Sequence, residues 1–260
     1  MKCRICSLST TLFDEAVVLK KYRVKYYWCE NCGFMQTEKP YWLDEAYSRA
    51  ITKSDIGLIG RNLQMVTPTR KLILTCLEPT DKFVDYGGGY GIFTRLMRDQ
   101  GFDYYRHDPL CENLFAGGFE ASSNIRYTLL TAWEVFEHLE NPLDEIEEML
   151  SYSHNLFFST VLLSTSLEPL DQWWYYGLEH GQHIAFYSHK TLQIIAQKFR
   201  LKTHFSDGRL HFIGDPAVPP FLIKLAFSER LSWLQKRMQR TAPPSLLASD
   251  FQALTGKVLK

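Results

Sequence analysis

The chain has 260 residues, 45% of them apolar and 22% charged, with 29 basic residues balanced by 29 acidic ones. That length and balance fit one large α/β domain or a main domain with a small appendage, and they exclude a disordered chain. Zero net charge speaks against a protein whose main task is gripping a phosphate backbone, because such proteins carry a clear basic excess. No uncharged apolar run approaches the roughly 18–20 residues that span a bilayer. Met1-Lys2-Cys3-Arg4 lacks the apolar core of a secretion signal, so a cytoplasmic location is expected.

The first segment carries Cys3-Arg4-Ile5-Cys6 and Cys29-Glu30-Asn31-Cys32-Gly33. Two C-x-x-C pairs 22 residues apart have the ligand spacing of a zinc ribbon. Four thiolates close a tetrahedron with no open position, so the ion at Cys3, Cys6, Cys29 and Cys32 is expected to be structural. A segment this small buries too little core to fold alone, and a metal supplies what is missing. The other reading is four unmetallated thiols or two disulfides, and nothing marks an oxidising compartment. Cys76 and Cys111 read as small buried hydrophobes. Between the pairs, residues 16–28 have the β-branched and aromatic content of a short hairpin.

A turn-like stretch leads to Tyr41-Trp42-Leu43-Asp44-Glu45-Ala46-Tyr47, and residues 59–77 read as a helix interrupted near Pro68. From Lys82 strand and helix alternate. Strands are expected over 83–86, 104–107, 129–132, 156–161, 201–205 and 210–213, with helices over 92–98, 143–150 and 190–199. Such alternation argues for a parallel sheet covered by helices. Pro216, Pro219 and Pro220 mark a break, followed by helix and a polar tail. The expected division is 1–40 (zinc ribbon), 41–80 (helical linker or lid), 81–215 (main domain) and 216–260 (helical extension).

Asp85-x-Gly87-x-Gly89-x-Gly91 follows an apolar strand and precedes a helix. Glycines let the backbone turn sharply and approach a ligand where a Cβ would clash. The spacing differs from the dinucleotide fingerprint, and an acidic residue stands two positions before the first glycine. This suits a ligand with an ammonium group and no pyrophosphate. Asp108, at the end of the second strand, can accept bonds from both hydroxyls of a ribose; the competing reading is a turn aspartate before Pro109.

Together VDYGGGYGIF, HDP and TAWEVFEHLENP resemble the class I S-adenosylmethionine-dependent methyltransferases. The resemblance covers roughly residues 82–213. It implies a Rossmann-like α/β fold with a seven-stranded, mostly parallel sheet whose last strand is antiparallel. It also implies that Asp85, Gly87 and Gly89 face the methionine part of the cofactor, that Asp108 faces the ribose, and that Trp133 and Glu134 line the pocket. Glu137 and His138 read as a pair that caps and orients a helix. Only 22 residues separate Asp108 from Thr131, so the third strand is expected to be abbreviated. Phe119 or Glu120 stands in for the acidic residue that meets the adenine, and Thr128 stands where the family often has aspartate.

The stretch from Asp171 to Ser188 holds four consecutive aromatics, Trp173 to Tyr176, which cannot all face one core. With the cysteine pairs, His183-Ile184-Ala185-Phe186-Tyr187-Ser188 resembles methyltransferases of sugar and polysaccharide pathways, among them the sugar C-methyltransferases acting on nucleotide sugars. That resemblance implies a small-molecule acceptor, a nucleotide sugar or glycan, with His183 lining the pocket or acting as general base. This chain has Gly181-Gln182 where those enzymes have His-Glu, so Glu179 or His180 would have to supply the missing partner.

Two other classes compete. An rRNA methyltransferase would use the ribbon as a recognition module, with Lys20, Lys21, Arg23 and Lys25 interleaved with Tyr22, Tyr26, Tyr27 and Trp28 as a basic, aromatic face; the plainer reading is a solvated hairpin face. A non-catalytic cofactor-binding module is the third, and the intact glycine loop argues against it.

Overall fold

The computed structural model describes residues 1–48, 56–215 and 218–259; the expected break at Pro216 and part of the 41–80 segment lie outside them. In chain order the elements are β1 (Thr11–Val18), β2 (Tyr22–Cys29), β3 (Phe34–Thr37), α1 (Leu43–Ala46), α2 (Leu58–Cys76), β4 (Lys82–Tyr86), α3 (Ile92–Asp99), β5 (Asp103–His107) and β6 (Leu129–Ala132). They continue with α4 (Pro142–Tyr152), β7 (Leu156–Ser159), β8 (Ala185–Phe186), α5 (His189–Lys198), β9 (Lys202–Ser206), β10 (Leu210–Gly214), α6 (Pro220–Phe227), α7 (Ser232–Met238) and α8 (Leu247–Thr255). Among the described residues no helix is long and apolar enough to cross a membrane.

The strands form two sheets, ordered β1-β2-β3-β8 and β5-β4-β6-β7-β10-β9. In the larger sheet β4 runs parallel to β5 and to β6, while β10 and β9 are antiparallel. Parallel neighbours need crossovers, which α3 supplies between β4 and β5, and α4 lies in the chain between the neighbouring β6 and β7. Strands β6 and β7 are buried along their whole length, as strands covered on both faces are.

Six strands stand in this sheet among the described residues, against the seven expected. The missing one is reduced to a single parallel bridge, Arg106 with Glu120. Around it the Arg106 amide donates to the Phe119 carbonyl at 2.8 Å and the Ala121 amide to the Arg106 carbonyl at 2.7 Å. The physical reason is length, since the span from Asp108 to Thr131 must also turn at Gly117-Gly118 and return. A second difference concerns α2, which runs through Pro68 unbroken. Proline removes one amide donor, and the carbonyl it deprives belongs to Gln64, an exposed residue.

The chain divides into two compact units. The first gathers Met1–Ser54, Trp133–Glu148 and Phe158–Gly214. Here the β1–β3 meander continues into β8, with Met35 opposite Phe186 and Gln36 opposite Ala185. One core joins Val24, Tyr26, Met35 and Trp42 to Tyr175, Tyr176 and Phe186. The cysteine-bearing strands therefore share a sheet and a core with the segment around Ala185. Of the four aromatics, Tyr175 and Tyr176 are core residues and Trp174 is 75% exposed.

The second unit gathers Asp55–Ala132, Met149–Phe157 and Asp215–Lys260. In it α2 packs on α3 and α6. Helix α8 is tied down by Asp250, which accepts from Arg98 Nε at 2.8 Å and Nη2 at 2.7 Å. Such a paired fork holds a planar carboxylate in one orientation.

Candidate functional site

In the second unit β4 delivers Asp85, and the chain then turns through Gly87 (φ +68°), Gly89 (φ +53°) and Gly91 (φ +84°) into α3. Three left-handed positions in five residues require glycine. Gly88 has no such φ, yet a Cβ there would lie 2.7 Å from Asp85 Oδ2. The Asp85 carboxylate is buried beneath the loop and accepts from Thr131 Oγ1 at 3.0 Å and Thr94 Oγ1 at 3.4 Å. Burial pushes this carboxyl up to about 7, against the pull of the two hydroxyls.

Asp108 closes its own turn, the plainer of its two expected roles, and also ties down the glycine loop. Its Oδ1 accepts from the Leu110 amide at 2.8 Å, as a turn aspartate does, and its Oδ2 accepts from the Gly89 amide at 2.8 Å. Arg106, which sequence reasoning missed, donates from Nε to the Gly89 carbonyl at 2.5 Å and from Nη2 to the Cys111 carbonyl. The available signal was a strand arginine following two tyrosines in Asp103-Tyr104-Tyr105-Arg106-His107. The residues suggested for adenine are engaged elsewhere. Phe119 stacks on the Arg98 guanidinium at 3.7 Å, and Glu120 accepts from Asn113 Nδ2 at 2.8 Å. Thr128 donates to Asp81 at 2.7 Å.

In the first unit the four predicted cysteines cluster. Cys3 Sγ lies 3.4 Å from Cys32 Sγ and Cys6 Sγ 3.5 Å from Cys29 Sγ, and all four sulfurs lie within 4.8 Å of one another. These separations exclude disulfides, whose sulfurs stand about 2.05 Å apart. They bracket the roughly 3.8 Å edge of a tetrahedron with 2.3 Å metal–sulfur bonds, so the donor set fits zinc. The second knuckle turns at Gly33 (φ +68°), where a Cβ would meet Ser188 Oγ at 2.3 Å. The Cys32 carbonyl accepts from Thr191 Oγ1 at 2.9 Å, in the first turn of α5.

The residues after β6 also lie in the first unit. Trp133 is half-buried, and Glu134 adopts φ +54°, uncommon for a side chain with a Cβ. Ser159 Oγ holds it, accepting from the Glu134 amide at 2.8 Å and donating to its carboxylate at 2.7 Å. Glu137 and His138 lie inside the single turn Phe136–His138, whose N-cap Val135 makes no side-chain cap bond, so neither acts as the expected cap. Glu137 is fully buried and neither carboxylate oxygen has a hydrogen-bond partner. Burial pushes its carboxyl up to about 8, helped by the charge of Glu134 and opposed by the nearby Tyr175 and Thr160 hydroxyls.

His138 Nδ1 stands 3.0 Å from the Gln182 carbonyl, and burial pulls this imidazole down to about 4. His183 Nδ1 stands 2.6 Å from the Tyr175 carbonyl. The structure thus brings His183 together with Glu137 and His138, whose donor atoms lie within 4.8 Å of one another. Glu179, the carboxylate singled out from the sequence, is solvent-exposed.

A family profile described as "Methyltransferase domain" matches residues 61–204. Comparison with curated proteins found no match. Similar solved structures include the magnesium protoporphyrin IX methyltransferase of Synechocystis with bound SAH, at 13% identity, TM-score 0.42, covering 68% of this chain and 95% of that one. The plantazolicin methyltransferase in complex with SAH matches at 14% identity, TM-score 0.45, covering 76% and 86%. An O-methyltransferase family 2 protein from Planctomyces limnophilus in complex with apigenin matches at 15% identity, TM-score 0.46, covering 66% and 65%. With more than half of its length matched by that profile, the chain belongs to the methyltransferase domain family.

Proposed function

We propose that the protein is an S-adenosylmethionine-dependent methyltransferase acting on a small molecule, a sugar or polysaccharide precursor such as a nucleotide sugar, in the cytoplasm. The observation that carries the reading is the glycine loop, with three left-handed glycines and the Gly89 amide held by Asp108. When bound, the cofactor supplies an electrophilic methyl group on a sulfonium. The protein's part is then to hold acceptor and methyl in line, which supplies most of the acceleration for such a transfer.

In this reading Gly87 and Gly89 admit the methionine part of the cofactor, Asp108 accepts from the ribose, and Asp85 positions the loop from below. Trp133 and Glu134 line the pocket, and His183 works on the acceptor. Because a carbonyl can only accept, His183 Nδ1 carries a proton and its Nε2 keeps the lone pair. The carboxylate that accompanies His183 is Glu137, with exposed Glu179 left outside. Residues 1–40 serve as a zinc-held module on Cys3, Cys6, Cys29 and Cys32, residues 81–215 as the catalytic domain, and 41–80 and 216–260 as helical additions.

The rRNA reading loses its main support at the hairpin. Lys21 pairs with Glu45 at 2.6 Å, and Arg23 and Lys25 share Glu15 at 3.5 and 3.9 Å, so two carboxylates offset half of the four-residue basic run. The test is calorimetry of S-adenosylmethionine and its demethylated product on the full zinc-replete chain, followed by labelled-methyl transfer to nucleotide-sugar and glycan extracts. Micromolar cofactor binding with label entering that fraction is expected. No cofactor binding favours a non-catalytic module, and label entering only ribosomal RNA overturns the small-molecule acceptor.

A further inference from the structure

Glu137, His138 and His183 form a second cluster of donors, separate from the four thiols. One carboxylate oxygen and one ring nitrogen from each histidine lie within 4.8 Å of one another, with Glu137 buried and both histidines half-buried. Three features point to a ligand there.

The first is Glu137 itself. A carboxyl with no exposure and no hydrogen bond to either oxygen is costly in either protonation state. The nearby Tyr175 and Thr160 hydroxyls are bonded to each other at 3.1 Å rather than to the carboxyl. A cation held with the two histidines is a partner that satisfies the carboxylate.

The second is the pair of imidazoles. Each histidine directs Nδ1 at a backbone carbonyl, His138 at Gln182 and His183 at Tyr175. A carbonyl oxygen cannot donate, so both nitrogens are N–H and both Nε2 atoms keep their lone pairs. A backbone carbonyl on Nδ1 fixes the tautomer and ring orientation of a metal-binding histidine. Here two neighbouring rings, 5.0 Å apart at 80°, are held this way.

The third is how the backbone converges on the cluster. The Ile184 amide donates to the Glu137 carbonyl at 2.8 Å, locking the His183 strand onto the Glu137 turn. The Tyr47 hydroxyl stands 2.9 Å from His138 Nδ1 and braces the ring from another side. The donors are therefore preorganised by backbone rather than assembled from loose surface side chains.

We infer that Glu137, His138 and His183 bind a divalent transition-metal cation, as a two-histidine, one-carboxylate site distinct from the cysteine cluster. Three protein ligands leave coordination positions open, the mark of a site that takes an exogenous oxygen donor rather than a structural one. The imidazole and carboxylate set suits manganese, iron(II), cobalt or zinc, whereas the thiolates select zinc. The inference holds whether or not the methyl-transfer reading does, since metal occupancy is measured without cofactor or acceptor.

The test uses the full chain with zinc loaded on the cysteines. Mn²⁺ is titrated and followed by electron paramagnetic resonance and calorimetry, with zinc counted in parallel. One Mn²⁺ per chain is expected, with hyperfine couplings from imidazole nitrogen. Glu137→Gln and His183→Gln should each weaken binding at least tenfold and leave the zinc content unchanged. The inference is overturned if the wild-type chain takes up no Mn²⁺, Co²⁺ or Zn²⁺ beyond the cysteine-bound equivalent, or if binding shows no imidazole coupling. The wild-type titration decides the matter even where a variant fails to fold. Mn²⁺ affinity unchanged in both folded variants would place the ion elsewhere and equally overturn it.

Discussion

The Asp108 carboxylate accepts a hydrogen bond from the Gly89 amide at 2.8 Å, across a separation of 19 residues. An amide bonded to a carboxylate contributes more than a neutral pair, about 1.5–3 kcal/mol. The same side chain also closes its own turn through Leu110. Replacing it removes both contacts and the acceptor for a ribose. Asp108→Ala is expected to lower affinity for the demethylated cofactor roughly 10–100-fold by calorimetry, while the melting temperature falls only a few degrees. Unchanged affinity would remove Asp108 from the cofactor site.

Asp85 is expected to trade stability for binding. Its folded-state carboxyl lies at about 7 against an ordinary 3.8. A raised carboxyl favours folding most fully below its unfolded value, and that contribution is lost as pH rises from 3.8 through 7. The difference corresponds to at most about 4 kcal/mol. Asp85→Asn keeps the shape and removes the charge, so the cofactor-free variant should unfold at higher urea than the wild type at pH 8 and the gap should close towards pH 5. Cofactor affinity should fall in the same variant, because the loop above it is ordered around an anion. A variant less stable at pH 8 would mean that the buried charge is satisfied in a way the two threonine hydroxyls do not account for.

Removal of metal from the cysteines is expected to spread beyond residues 1–40. The Cys32 carbonyl is bonded to Thr191, Gly33 is packed under Ser188, and β3 pairs with β8. Chelation, or Cys29→Ser, should therefore speed hydrogen exchange at the Thr37 and Ile184 amides as well as in β1–β3. Gly33→Ala should destabilise by about 1–3 kcal/mol, since φ is positive and the added carbon meets Ser188 Oγ. Loss of protection confined to residues 1–40 after chelation would instead make the cysteine segment an independent module.

The cysteine pairs and the glycine loop were legible because their geometry is local, set by spacing within a turn. Elements were placed well for the same reason, since strand and helix signals live in short windows. The Glu137–His138–His183 cluster was not, because it depends on a partner some 45 residues away brought in by β8, a strand only two residues long. Read along the sequence, Glu137 and His138 open a short helix, and nothing local distinguishes a capping pair from a ligand pair. Exposed Glu179 illustrates the converse, a carboxylate near His183 in sequence and directed to solvent in the fold. Arg106 escaped for a related reason, since its role is defined by what the 109–128 loop folds back upon, whereas the abbreviation of the third strand was readable from the short span between Asp108 and Thr131.

His211 carries the last expectation, on acid stability. It is fully buried, with Nε2 donating to the Thr160 carbonyl at 2.9 Å and Nδ1 accepting from Ser206 Oγ at 2.8 Å. Both contacts fit the neutral ring, and burial pulls its titration down to about 4 from 6.5. A histidine held neutral by the fold binds its proton more readily when unfolded, so stability is full above 6.5 and drains as pH falls through 4. The shift corresponds to roughly 3 kcal/mol at most. His138, also near 4 through burial, acts with the same sign. The contribution of His211 is therefore read as a difference, from urea midpoints of the wild type and His211→Gln at pH 7.5, 6, 5 and 4.5. Wild type should be the more stable at pH 7.5, where its two hydrogen bonds are intact, and should lose that lead across the window. A lead that stays constant from pH 7.5 to 4.5 would mean that the ring is protonated in the fold as easily as out of it, with Ser206 turning to accept rather than donate.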